Sequence, residues 1–351
     1  MVKEVKKPKS KLSRTTKQRN DSFSFGEFLF KVTATVAAAA LLISYISIFI
    51  NPERHWVPMF FGLYYIPIAF FNLLLLAIGI FRRRSSLLIP LIALIPSLFL
   101  ADKYVKIGAD ERELSGESGK VVSYNLGRFS VGSRGITTAE SLAGVKSFIK
   151  EQDADIVCLQ EFQCPDPESL RQYFPEYQYS SQYLKEGPGY FGNVILSKYP
   201  VLNSEKVSFP ETANLCLRSD IQIDGTILRI FNCHLESNAI SFTTIVKRLS
   251  HKDEFKDEIV QVHGKLRSKA QKRAEQVETL CSMNAESPYP ALICGDFNDV
   301  PSSYTYHRLS SGKKDSFCEG GRGFSATYSR LWPLLRIDYV LLPAEFEADS
   351  H

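Results

Sequence analysis

Long apolar runs occupy the first third of the chain, and short ones alternate with polar stretches after it. Phe28–Ile50 holds one charge, Lys31, at its edge, where a long side chain can snorkel to an interface. Val57–Phe81 holds none, and the shorter Leu87–Leu100 carries Pro90 and Pro96. Spanning a bilayer takes ~20 apolar residues. The pattern therefore predicts about three transmembrane helices, at 28–50, 57–81 and 85–101. Buried core helices fit worse, because a run apolar all round has no polar face to show water. A signal peptide also fits worse, since several runs follow one another and no small-residue cleavage site stands out. No run has an ionisable residue at its centre, which points to an anchor rather than a transport path.

From Lys120 the period changes. Strands are predicted at Val121–Tyr124, Ile156–Gln160, Val194–Ser197, Ser219–Ile223, Ile227–Cys233, Ala291–Cys294 and Ile337–Leu342. Helices are predicted at Thr138–Gln152, Pro167–Tyr173 and, in two pieces, across Ser241–Met283. A hairpin signal at Asp224-Gly225 among the strand–helix alternations indicates α/β architecture with a mixed sheet.

The net charge is only +4, which gives no global polyanion-binding signature. The cations are unevenly placed. Residues 1–27 form a lysine-rich arm predicted to be disordered, and Arg82-Arg83-Arg84 follows the second run. By the positive-inside rule both lie on the cytoplasmic side. The loop Asn51–Trp56, and after three spans everything beyond Leu100, is then extracytoplasmic; if the third run does not span, the domain after it is cytoplasmic. The chain divides into arm (1–27), integral membrane anchor (28–100), linker (102–119) and a soluble α/β domain (120–351). Cys158, Cys233 and Cys294 lie inside apolar strands as small hydrophobes. No zinc-type spacing occurs, and a disulfide among Cys164, Cys216, Cys281 and Cys318 is left open.

Candidate chemistry gathers at strand ends. Cys294-Gly-Asp-Phe-Asn-Asp299 places Asp296 and Asn298 two residues apart, on one side of the chain if the backbone stays extended. A carboxylate beside an amide suits a divalent metal or a phosphate under attack by water, although Gly, Asp and Asn also make ordinary turns. Asn125, Glu161, Asn193, His234 and Asp338 flank other predicted strands. Singly each has a structural explanation; strand ends in a layered α/β protein, however, converge on one rim.

The order of the segments resembles the endonuclease/exonuclease/phosphatase superfamily of deoxyribonuclease I-like enzymes. The matching segments are Ser123-Tyr-Asn125, Cys158-Leu-Gln-Glu161, Gly192-Asn-Val-Ile-Leu-Ser197, Asn232-Cys-His-Leu235, Arg273-Ala-Glu-Gln276, Gly295-Asp-Phe-Asn298 and Arg336-Ile-Asp-Tyr339. The resemblance implies a four-layer αββα sandwich. It implies that Glu161, with Asn125, holds Mg²⁺ or Mn²⁺, and that Asp296 positions or deprotonates the attacking water. It further implies that Asn298 and Asn193 meet the phosphate, that His234 binds phosphate or acts as acid, and that Asp338 orients a second histidine. The family's closing Ser-Asp-His motif is missing. Asp349-Ser350-His351 has those residues in another order and is no substitute, which predicts a C-terminally truncated chain. The expected function is a membrane-anchored, metal-dependent phosphoesterase hydrolysing phosphodiesters, nuclease-like or acting on phospholipid or sphingolipid headgroups. The rival of another class is a catalytically dead membrane-tethered binding module. The expected partners are a nucleic acid or lipid phosphate ester and the bilayer; no protein partner can be inferred.

Overall fold

The structure, a computed structural model, describes residues 25–107, 118–129, 138–187, 189–238, 255–331 and 333–351. The predicted arm up to residue 24, linker residues 108–117 and the start of the helical stretch from Ser241 lie outside the described residues.

The helical part differs from three spanning helices. Among the described residues, only α1 (Phe25–Ser47) is long and apolar enough to cross a membrane alone. The second run is split into α2 (Val57–Leu63) and α3 (Tyr65–Phe81), bent by 68° at Tyr64, and counts as a span only if the bent pair is one. Pro67 lies just beyond the break; it has no N–H to return to Leu63, so a straight helix through this point would lose that bond. The third run is a short helix, α4 (Leu88–Leu94), followed by a 3₁₀ turn that starts around Pro96. At one end of the bundle Glu27 accepts bonds from Arg84 (3.0 Å), Ser85 and Ser86. The predicted linker is not wholly free either, since β1 (Val105–Lys106) pairs with a strand near residue 323.

Beyond it the chain builds two sheets. The first contains β2 (Val121–Asn125), β3 (Ile156–Cys164), β4 (Tyr179–Gly187) and β5 (Gly189–Ser197), in the order β2-β3-β5-β4. Helices α5 (Thr138–Gln152) and α6 (Ser169–Tyr173) belong to this half. The second sheet is built from β6 (Val201–Ser208), β7 (Leu215–Ile223), β8 (Thr226–His234), β9 (Ala291–Asp296), β10 (Lys313–Asp315) and β12 (Asp338–Pro343), in the order β10-β12-β9-β8-β7-β6. The remaining elements are the long α7 (Phe255–Ala285), α8 (Tyr304–Ser310), α9 (Ser316–Gly320) and β11 (Gly323–Phe324), the partner of β1. The β2–β3 and β8–β9 pairs are parallel and the rest antiparallel, so both sheets are mixed.

Period-two alternation sorts side chains into three apolar layers. In β3, Val157 and Leu159 pack with Val145 and Ile149 of α5, whereas Ile156 and Cys158 face the second sheet. In β9, Leu292 and Cys294 meet them, whereas Ile293 packs with Val277 and Leu280 of α7. Helix, sheet, sheet, helix is the resulting order. The predicted strands are present and mostly longer than expected; the hairpin turns at Asp224 and Gly225, both with positive φ. All seven cysteines are free thiols, with Cys216 Sγ 3.3 Å from Cys233 Sγ across β7–β8.

Candidate active site

The predicted residues come from both sheets. Asn125 ends β2 and Glu161 interrupts β3; His234 ends β8, Asp296 ends β9, and Asp338 begins β12 directly opposite Asp296. A polar clasp in the apolar inter-sheet layer holds the halves together. Gln160 Nε2 donates to Asn232 Oδ1 (2.7 Å), Asn232 Nδ2 to the carbonyls of Leu159 (3.0 Å) and Val194 (2.9 Å), and Asn193 Nδ2 to Asn232 O (2.9 Å). All three side chains are fully buried.

Glu161 is neither a helix-leading acid nor a plain strand-end residue. The β3–β5 register shifts between Leu159 and Phe162, and Glu161 adopts φ 48° inside that irregularity. A bulge re-aims one side chain out of the pleat; here it turns Glu161 toward Asn125 and His234. Asn125 Nδ2 donates to Asp296 Oδ2 (2.8 Å) and, at 3.4 Å, to Glu161 Oε1. His234 Nε2 lies 3.5 Å from Glu161 Oε1, is buried and has no hydrogen-bond partner.

Gly295 has φ 122°, and a Cβ there would run into the backbone of Cys233, so this position requires glycine. The backbone beyond Asp296 is not extended. Asn298 has φ 53°, and its N–H donates to Asp296 Oδ1 (2.7 Å) in an Asx turn. Its amide therefore turns away from the shared face expected of an i, i+2 pair and donates to Leu235 O (3.0 Å). Asn193 likewise spends its amide within the clasp, while its Oδ1 is buried without a partner.

Several contributors carried little or no sequence signal. Arg128, in the left-handed region at φ 54°, places its guanidinium 4.1 Å from the Phe191 ring centroid and 3.9 Å from Glu161. Thr327 Oγ1 accepts from the N–H groups of Ile337 and Asp338 (both 3.1 Å). Arg273, which opens the Arg273-Ala-Glu-Gln276 segment, does carry a signal: it binds Asp299 Oδ2 (3.1 Å) and Glu236 O (2.7 Å), tying α7 to both strand-end loops. His351 donates to or accepts from Ser316 Oγ at 2.7 Å and packs on Phe317.

Burial, then the charges of Asp338 and Glu161, push Asp296 well above the ordinary carboxylate range, against its bonds from Asn125 and Asn298. Burial raises Asp338 to about 6. Burial lowers His234, partly offset by Glu161. Among the described residues no three His, Cys, Asp or Glu side chains close around one metal position. Magnesium needs no such cage: one or two carboxylates suffice, with water and phosphate completing the shell. The oxygen donors of Glu161, Asn125 and Asp296 fit a hard divalent cation.

Residues 122–351 match the Endonuclease/Exonuclease/phosphatase family, and the chain belongs to it. Residues 27–104 match a family described only as a domain of unknown function, DUF8431. Solved structures with similar folds include humanized TDP2 of D. rerio, 20% identical over 64% of this chain and 82% of that one, with TM-score 0.45. A second is mannosyl-6-phosphatase Bt3783 of Bacteroides thetaiotaomicron, 16% identical over 66% and 87%, with TM-score 0.43. No curated protein matches the chain.

Proposed function

We propose that this protein is a membrane-anchored, divalent-metal-dependent phosphodiesterase. The observation that carries the reading is the meeting, at facing strand ends, of three acids, an asparagine and a buried histidine nitrogen that makes no hydrogen bond. Glu161 and Asn125 would hold the cation, which when bound supplies Lewis acidity to the phosphoryl oxygens. Asp296, its pKa raised by burial and by the charges of Asp338 and Glu161, suits the positioning of a water and acceptance of its proton. His234 Nε2 is placed to donate to a phosphoryl oxygen as charge builds there. Asp338 adds negative charge beside Asp296 and so strengthens it as a proton acceptor. Anchoring rests on α1 and the bent pair α2–α3, whose outward faces expose Phe28, Leu29, Val36, Phe70, Leu73 and Ile80.

Hydrolysis of bis(p-nitrophenyl) phosphate by the detergent-solubilised full chain tests this. Mg²⁺ or Mn²⁺ should be required. Glu161→Gln and Asp296→Asn should each cost about 10²-fold or more in kcat with unchanged circular dichroism. Turnover that survives EDTA, or variants as active as wild type, would overturn the assignment.

A further inference from the structure

The apolar bundle and the catalytic rim are not merely tethered. Ser302, four residues beyond Asn298, donates to Gly62 O (2.8 Å) and bonds Tyr104 OH (2.8 Å). A Cβ on Gly62 would press into Ser302 O and Ser47 Oγ, so this seat is in close contact. Ser325 N donates to Tyr104 O (2.9 Å), and Leu334 and Leu335 line a crevice with Leu63, Ile66 and Pro67. The loop after Asp296 and the loop that supplies Thr327 to Asp338 are thus the ones seated on the bundle.

This end of the bundle has the chemistry of a membrane–water boundary. Trp56 and Tyr64 are part-exposed there, the residue types that favour such a boundary. Trp56 stacks under Arg267 of α7 at 4.7 Å, and Tyr64 OH lies 3.3 Å from His263 Nε2. Lys265 and Arg267 are exposed on α7 beside it. Basic side chains at this level attract anionic headgroups. Exposed apolar side chains lie beside the bundle in the loop that carries Thr327 and just after β1: Leu334 is 55% exposed and Ile107 96%.

We infer that the catalytic rim rests in the headgroup layer of the bilayer that holds the helices, and that its substrate is the phosphodiester of an anionic phospholipid. The inference rests on the anchored-phosphodiesterase reading above. Hydrolysis adds water across one phosphoester bond, its oxygen going to phosphorus and its proton to the departing alcohol oxygen. The basic stretch on α7 then serves the surface of a membrane rather than the backbone of a nucleic acid.

The full chain, reconstituted in vesicles of phosphatidylglycerol and phosphatidylcholine, would be assayed with Mg²⁺ for lipid products. Bis(p-nitrophenyl) phosphate and single-stranded DNA would be run in parallel. We expect phosphatidylglycerol to be cleaved and the cleavage to be lost in Asp296→Asn. Leu334→Asp and, independently, Ile107→Asp should slow vesicle turnover about tenfold, the loss of one interfacial apolar anchor, with unchanged rates on the soluble diester. Cleavage of the soluble diester and DNA with intact lipid would overturn the inference and leave the phosphodiesterase standing. An inert soluble diester, or a chain that fails to float with vesicles, would remove the underlying reading and the inference with it.

Discussion

Asp315 and Arg336 show what single residues contribute here. Both are buried, Arg336 at 1% exposure, and they meet through two bonds of 2.6 and 2.8 Å, with Tyr306 OH donating to the same carboxylate at 2.8 Å. Burial works to raise the Asp315 pKa, but Arg336 outweighs it and the folded value lies below 3.8. The folded state therefore binds fewer protons than the unfolded one. The stabilisation is complete above the ordinary carboxylate pKa and is lost as pH falls through the depressed value. Asp315→Asn should cost about 3–5 kcal/mol in denaturant unfolding at neutral pH, because it strands a buried guanidinium. It should also flatten the acid limb of stability. A cost under about 1 kcal/mol would show that the site hydrates instead. Arg336 stands in a legible motif, Arg-Ile-Asp-Tyr, but its partner does not. Nothing in Lys314-Asp-Ser316 announces a buried acid, because pairing across 21 residues is decided by packing and not by local pattern. Arg128 was illegible for the same reason: it approaches Glu161 only through a left-handed backbone and a stack on Phe191.

At the level of elements, strand interiors were legible and strand edges were not. Ile156–Gln160 and Ala291–Cys294 alternate between two apolar layers, so their period was visible. Tyr179–Gly187 and Val201–Ser208 are edge strands at the ends of their sheets, the first half-exposed and the second largely exposed, and so carry no apolar stripe. The long apolar runs misled in a related way. Hydropathy counts residues but does not see that Pro67, Pro90 and Pro96 bend or shorten the helices. Glu161 was assigned from its motif, but the bulge that aims it was hidden, since a register shift belongs to a pair of strands. The clasp is likewise a property of elements together. Asn232→Leu removes bonds to Leu159 O, Val194 O and Gln160 at once. With unpaired buried groups costing ~1–3 kcal/mol each, a loss above about 3 kcal/mol is expected by chemical denaturation. Near-wild-type stability would mean that the sheets are aligned by apolar packing alone.

Beyond the apolar bundle the molecule is two slabs, and its proposed acid group belongs to both. Asn125 and Glu161 ride on one, and His234, Asp296 and Asp338 on the other. Like the two scales of a vernier, the slabs can each stay intact while their reading shifts. A misplacement of about 1 Å at a reacting centre can cost 10²-fold in rate. Warming should therefore silence hydrolysis before it melts either sheet, with the midpoint of activity loss several degrees below the far-ultraviolet dichroism midpoint. Coincident midpoints would show that the slabs part only when the whole chain unfolds. If activity is lost first, cross-linking the slabs beneath the site, away from the reacting groups, raises the working temperature without raising the melting temperature. Durability of function in this protein would in that case be set by the fit between two surfaces, and only afterwards by the cohesion of either one.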